Sequence, residues 1–466
     1  MGKLKIFSSM ILALSLLIAI FNLIYVAKLV LYPYSTDYSN AIPYYMALST
    51  LYKSFNTYPY LITYYPPLYY LMFDALKPYV QSPALPYLLE RLMSSAAYII
   101  STILIYLISF KATKSVSESA LSSMLFLSAF SLTANIIFSN PSIFELCFDL
   151  LAVLILLNRR NNYIAYTAIS LSIAFLFKQS GILFLLASIT YLLYLREKQS
   201  AIKLALYFSV IIIPIMILAN ILSDGRFIFS LFIIPFITPF SPTGIISTLL
   251  QLIIFTPIFA IVLPIIYFTK DVINHKIFFI ILLCFSMINI ITTAKFGSNI
   301  GYTLPTIAIA SVLSAPYIRQ LSNSEKKSSI IINIIRWAIL FSLISALVVV
   351  YINTSQVTYP NNLQQARSVI NGIKGNILTD NPAFAFESNK SLLFEPSIFW
   401  TMQNSSIWND SKIIASISRH NFSAIVFYRD QRFYYYNGLI NAINKSYVMK
   451  YNFSGLYIYL PKNSTN

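Results

Sequence analysis

Residues 6–31 read IFSSMILALSLLIAIFNLIYVAKLVL, and this run decides the architecture. Lys28 is its only charge, and it exceeds the roughly 20 apolar residues that cross a bilayer as a helix. A cleavable leader would have a shorter apolar core and a small-residue cut site, so the run is expected to stay as an anchor. Similar runs follow at about 85–110, 117–139, 142–158, 162–177, 180–195, 203–222, 244–268, 276–294, 300–317 and 329–352. The expected fold is a polytopic α-helical membrane protein with about 11 transmembrane helices.

Composition agrees, because 58% of the 466 residues are hydrophobic and 10% charged, where a soluble domain has about a quarter charged. A net charge of +17 would suggest nucleic acid in a soluble protein. Here the basic residues fall in short clusters between apolar runs, which is membrane topology and argues against a nucleic-acid partner. With Lys3 and Lys5 at a cytoplasmic N-terminus, one side receives Lys111 with Lys114, Arg159 with Arg160, Arg196, Lys198 and Lys203, Lys270 with Lys276, and Arg319, Lys326 and Lys327. An odd number of spans in the plasma membrane then puts the segment after Asn353 outside.

All Asn-X-Ser/Thr sequons lie there, at Asn353, Asn389, Asn404, Asn409, Asn421, Asn444, Asn452 and Asn463. They fit an exported domain, although an Asn- and Ser-rich tail also makes sequons by chance. The chain is thus expected to have a transmembrane domain, 1–355, and a small extracytoplasmic α/β domain, 356–466. In the tail, 363–373, 411–418 and 437–444 read as helices and 376–379, 423–428 and 455–460 as strands. No Gly-rich phosphate loop occurs in it. Two outer segments are longer than turns: 32–83, rich in Tyr and Pro with an amphipathic stretch at 40–55, and 224–242, which reads as an interfacial loop.

Cys147 and Cys284 lie in apolar runs, and His275 and His420 are far apart, so neither a disulfide framework nor a metal-ligand spacing is present. Of fifteen acidic residues, Glu118, Glu197, Asp271 and Glu325 sit among basic residues in the expected inner loops. Asp37, Asp74, Glu90, Glu145, Asp149 and Asp224 fall towards the outer side. A carboxylate inside a span costs about 2.5–3.5 kcal/mol and needs a partner, water or a task. Lys53, Lys77, Arg91, Lys178, Arg226 and Lys295 share that side. A carboxylate facing cations at an aromatic membrane surface suits a lipid phosphate carrying a polar group. The carboxylate can take a proton from an attacking hydroxyl while the cations stabilise the departing phosphate.

Tyr34-Ser35-Thr36-Asp37-Tyr38 follows the first run, then Tyr64-Tyr65-Pro66-Pro67-Leu68-Tyr69-Tyr70, and Arg91-Leu92 opens the second span. Phe177-Lys178-Gln179-Ser180-Gly181 stands at a later outer junction. Lys295-Phe296-Gly297-Ser298-Asn299 with Tyr302 and Pro305 forms a late outer loop, and Leu378-Thr379-Asp380-Asn381-Pro382 opens the tail domain. This ordered series resembles the GT-C superfamily of polyprenyl-phosphate-sugar glycosyltransferases, which includes protein O-mannosyltransferases and the lipid A aminoarabinose transferase. The resemblance implies Asp37 as catalytic base, with Arg91, Lys178 and Lys295 contacting the donor phosphate. Tyr38, Tyr65, Pro66, Pro67 and Tyr69 would line the substrate site. Many relatives have a second acid where this chain has Tyr38, and His where it has Tyr65. No metal site is therefore assigned, and a need for a divalent ion stays open.

Bland readings stand beside these. Asp37 is also a favoured residue for capping a helix from near Ser39. Arg91 is as well suited to a structural contact, and Lys178 and Lys295 to snorkelling towards headgroups. The tyrosines of the first loop also suit an aromatic belt. The expected activity is transfer of one sugar, with inversion, from a polyprenyl-phosphate donor to an acceptor at the outer face of the bilayer. A transporter or flippase, or an inactive membrane scaffold, is the alternative, although neither an inverted repeat nor a mid-span charge relay is evident. The Trp-Trp-Asp-Tyr-Gly signature of the oligosaccharyltransferase branch is absent, Trp408-Asn409-Asp410 being a superficial echo.

Overall fold

The computed structural model describes residues 2–33, 35, 60–62, 65–76, 84–129, 140–255, 273–298, 300–323, 330–356, 361–427, 432–453 and 455–462. In chain order the helices are α1 (Gly2–Val30), α2 (Pro67–Leu76), α3 (Ala84–Thr113), α4 (Val116–Ser128), α5 (Ser142–Asn158), α6 (Tyr163–Phe177), α7 (Ile182–Tyr194) and α8 (Lys198–Leu222). They continue with α9 (Pro242–Phe255), α10 (Lys276–Thr292), α11 (Leu304–Asn323), α12 (Ile330–Gln356) and α13 (Asn361–Gly372). The tail then runs β1 (Ile377–Thr379), α14 (Pro382–Glu387), α15 (Pro396–Asn404), α16 (Ser411–Ser418), β2 (Ala424–Phe427), α17 (Asn437–Ser446), β3 (Tyr447–Asn452) and β4 (Tyr457–Pro461).

Each apolar run contains helix where it is described. Four helical segments are long and apolar enough to cross a membrane: Ser9–Val30, Leu85–Thr113, Lys198–Leu222 and Arg336–Ser355. Tyr163–Phe177, Gln179–Tyr194 and Lys276–Thr292 are shorter apolar helices. Local chemistry sets several ends. Ser115 accepts from the N–H of Glu118 at 3.4 Å, the Ser-x-x-Glu pattern that opens a helix. Arg91 donates to the carbonyl of Leu29 at 2.9 Å, and Lys28 to that of Thr354 at 3.0 Å. Each satisfies a carbonyl of a last helical turn that has no partner within its own helix.

The described residues fall into two compact units, one of Met1–Leu31, Glu90–Pro214 and Phe240–Val357, the other of Tyr32–Leu89, Ile215–Pro239 and Thr358–Asn466. In the first, α1 packs on α12 and α4, α11 on α4, and α5 along α6. Its polarity is inverted relative to a water-soluble core. Ser15, Asn22, Ser94, Ser101, Ser109, Ser122, Ser311 and Ser314 are buried, and Asn22 and Ser109 bond across helices, to the Leu127 carbonyl at 2.8 Å and to Ser122 at 2.9 Å. Meanwhile Ile202, Leu206, Val210, Ile213, Ile217 and Ile221 are exposed along one stripe of α8. Exposed apolar stripes over a hydrogen-bonded interior fit lipid as the solvent.

In the second unit the sheet order is β1-β2-β4-β3, with β1 and β2 parallel and the other pairs antiparallel. The period of two along β2 sorts its side chains. Ile425 and Phe427 face a cluster with Phe394, Phe399, Trp408, Ile417 and Leu439, while Ala424 and Val426 face Leu363, Ala366, Ile370 and Phe384. Helices on both faces explain why all four residues of β2 are buried.

Three elements differ from expectation. The segment 224–242 is mostly helical, with Arg226–Ile228, a π-helical turn at Phe229–Ile233, and Ile234–Ile237. Pro235 has no N–H to return to the Leu231 carbonyl, which accounts for the widened turn before it. The helices α14 and α15 were read as loop because each opens on a Pro, which serves here as a helix-starting residue. The strand β3 follows α17 directly, with one buried residue out of six, so it lacks both a turn signal and an apolar alternation. The stretch 40–55, Asp37 and Tyr38 lie outside the described residues.

Candidate functional site

The Lys178 corner is built by a helix break. Lys178 ends α6 in an extended conformation, φ −154° and ψ 135°, and a 3-10 turn at Gln179–Gly181 leads into α7. The turn folds back closely enough that a Cβ on Gly181 would stand 2.9 Å from the Phe175 nitrogen, so only glycine fits. The lysine is thereby turned towards the start of α5. Its ammonium donates to Ser142 Oγ at 2.6 Å and lies 3.7 Å from the centre of the Tyr302 ring. Ser142 Oγ donates in turn to Asn140 Oδ1 at 2.6 Å, and the same oxygen accepts the Ser142 N–H at 3.0 Å. Asn140 thus orients the hydroxyl so that its lone pairs face Lys178.

Ser142, Glu145 and Asp149 recur at helical spacing on one face of α5. Both carboxylates are buried, and neither accepts a hydrogen bond from the described residues. Lys178 is the cation acting on Glu145. Burial lowers the lysine to about 8, with the Glu145 charge opposing that fall. An ammonium has three N–H donors. One is given to Ser142, which leaves two for an incoming oxygen. Glu145 and Asp149 were read only as outer acids, although their spacing from Ser142 was a signal in the sequence.

The other candidate cations occupy separate settings. Arg91 is fully buried at the end of α1, bonded to Leu29 as described, and the adjacent Glu90 is buried without a hydrogen bond from the described residues. Lys295 pairs with Phe240 in an isolated antiparallel bridge, next to Ser241 donating to the Ala294 carbonyl at 2.8 Å. Partial burial lowers its ammonium from the ordinary lysine range. In the second unit the Tyr65 N–H donates to the Tyr70 hydroxyl at 3.2 Å, and the Tyr65 ring meets that of Tyr69 edge-on at 5.3 Å. Pro66 precedes and Pro67 opens α2, fixing the entry of Tyr69, which is buried.

Among the described residues no three His, Cys, Asp or Glu side chains cluster as a metal site. A groove of about 890 Å³ between α5 and α6 is lined by Phe148, Ile155, Arg160, Tyr163, Tyr166 and Ile173. No candidate site residue lines it.

This arrangement of helices and tail domain is the GT-C glycosyltransferase fold, shared with solved membrane proteins of that superfamily. The chain is similar to ArnT from Cupriavidus metallidurans in the apo state, at 12% identity and a TM-score of 0.63, covering 95% of this chain and 97% of that one. ArnT bound to undecaprenyl phosphate gives 11% identity and a TM-score of 0.63, with 96% and 98% covered. The archaeal oligosaccharyltransferase AglB from Archaeoglobus fulgidus, in complex with an inhibitory peptide and a dolichol-phosphate, gives 11% identity and a TM-score of 0.55, with 96% and 74% covered. No protein-family model matches the sequence, and no curated protein is found similar to it.

Proposed function

We propose that this chain is a multi-pass glycosyltransferase of the plasma membrane. It moves one sugar from a polyprenyl-phosphate donor to an acceptor at the extracytoplasmic face, with its N-terminus cytoplasmic and its tail domain outside. The observation that carries the reading is Lys178, a buried ammonium with two unused donors, in a fold shared with proteins solved with undecaprenyl phosphate and dolichol-phosphate.

The acceptor hydroxyl oxygen attacks the anomeric carbon while the bond from that carbon to the phosphate oxygen breaks. Direct displacement inverts the centre through an oxocarbenium-like transition state. Asp37 takes the hydroxyl proton, and the electron pair leaves on the polyprenyl phosphate. Lys178, Arg91 and Lys295 are the cations proposed to stabilise its growing charge. That charge needs no general acid. Tyr38, Tyr65, Pro66, Pro67 and Tyr69 are assigned to the walls of the substrate site.

The test is single-turnover transfer of label from radiolabelled polyprenyl-phosphate sugars to endogenous membrane acceptors. Asp37→Asn is expected to abolish label transfer seen with the wild type. Equal transfer by both removes Asp37 as the base, and no transfer with any donor favours transport or a scaffold.

A further inference from the structure

The geometry points to Glu387 as a positioning residue, whose carboxylate fixes the backbone just before Asp37 from a distant part of the chain. The inference rests on the proposed role of Asp37 as base. Ser35, two residues ahead of Asp37, donates its backbone N–H to Glu387 Oε1 at 2.6 Å. The second oxygen, Oε2, is held by the Arg367 guanidinium. The two side chains are 2% and 13% exposed, so this charge-assisted pair is shielded from water.

Glu387 is the last residue of α14, where a helix disfavours negative charge. Arg367 on α13 offsets that, and the carboxylate is left able to grip an amide outside its own domain sequence. On the far side of Asp37 the chain is tied again. Tyr60 donates its N–H to the Leu393 carbonyl at 2.8 Å, and its own carbonyl accepts from Glu395 at 3.1 Å. The Tyr60 ring is buried edge-on against Phe399 and Trp408, with centroids 5.7 and 5.6 Å away. Tyr87, near the start of α3, meets Phe386 at 5.5 Å. One short stretch of the tail, 386–395, therefore contacts the chain before Asp37, after it, and at the following helix.

A catalytic base must hold its place to a fraction of an ångström, and a 1 Å error can cost about a hundredfold in rate. The Ser35 tie serves that need. The carboxylate acts through the backbone and touches neither substrate nor the reacting atoms.

The full-length protein in detergent tests this, with Glu387→Ala compared against Arg367→Met. The first variant removes the acceptor for Ser35, whereas the second removes the ion pair and leaves that acceptor in place. Amide exchange of a peptide containing Ser35 is expected to accelerate at least tenfold in Glu387→Ala and much less in Arg367→Met. Transfer kcat is expected to fall by about ten- to a hundredfold in Glu387→Ala with KM nearly unchanged, and by less than about threefold in Arg367→Met. Unchanged exchange in Glu387→Ala overturns the tie itself. Faster exchange with unchanged kcat, or equal losses of kcat in both variants, overturns the positioning role. If the wild type transfers nothing, the proposed activity fails and this role falls with it, while the exchange result still decides whether the contact exists.

Discussion

One helix, α5, carries charge at both ends under opposite conditions. At its first turn Glu145 is 1% exposed, accepts no hydrogen bond from the described residues, and is acted on by Lys178, itself 5% exposed. Just past its last turn Arg159 meets Glu197 at 2.6 Å with side chains 37% and 29% exposed, and Tyr163 adds a hydrogen bond to the same carboxylate at 3.2 Å. The exposed pair is a surface ion pair of the kind worth about 0–1 kcal/mol. The buried group gains nothing comparable, because desolvation is large and the carboxylate lone pairs are left unsatisfied. Selection for stability alone would remove it. Charges kept under such conditions cluster where a protein binds or transforms something, which is why the Lys178 end is taken as the working end.

The sharpest way to break this comparison is Lys178→Met. Transfer is expected to drop by more than about a hundredfold, since charge on the departing phosphate loses a stabilising cation. Glu145 would be left without its cation, which is expected to lower stability by about 3–5 kcal/mol in thermal unfolding. The double variant Lys178→Met with Glu145→Gln sharpens the point. Its stability is expected to return to within about 1 kcal/mol of wild type while transfer stays lost, which separates the two costs. If transfer returns as well, Lys178 only holds the fold.

Titration gives a smaller effect with an unusual sign. Lys178 is lowered to about 8 by burial from an ordinary 10.5. Between those values the folded chain binds fewer protons than the unfolded one, so this group makes stability rise with pH. Transfer needs the ammonium and is expected to fall through the same window, about tenfold by one pH unit above the lysine value. A pH–rate profile beside unfolding curves would show the two trends crossing. The smallest effect is expected at the opposite end, where Arg159→Ala should change stability by less than about 1 kcal/mol and leave single-turnover transfer unaltered.

Much of this could be read from the residues. The apolar runs placed the helices, because a span needs only length and the absence of charge. Phe177-Lys178-Gln179-Ser180-Gly181 announced a break with a cation in it, and the amphipathic stretch at 411–418 coincides with α16. What escaped depends on tertiary contact. The strand β3 is made by its pairing with β4, through matches such as Val448 with Leu460, and not by its own pattern. The helical spacing of Ser142, Glu145 and Asp149 was visible, but which face of α5 meets Lys178 was not. Glu387 gave no local sign of its link to Ser35.

That link has a consequence in time. When Ser35 leaves the ribosome, the carboxylate that will receive its N–H is still 352 residues from being made. At the usual 5–20 residues per second the wait is roughly 20 to 70 s, longer than most local folding steps. The segment that bears the proposed base is therefore among the first to be delivered and among the last to be set. Nascent chains cut short before Glu387 would carry a nearly complete set of membrane helices and remain silent. Activity would then appear as a late event of synthesis, in effect a check that the whole chain has arrived.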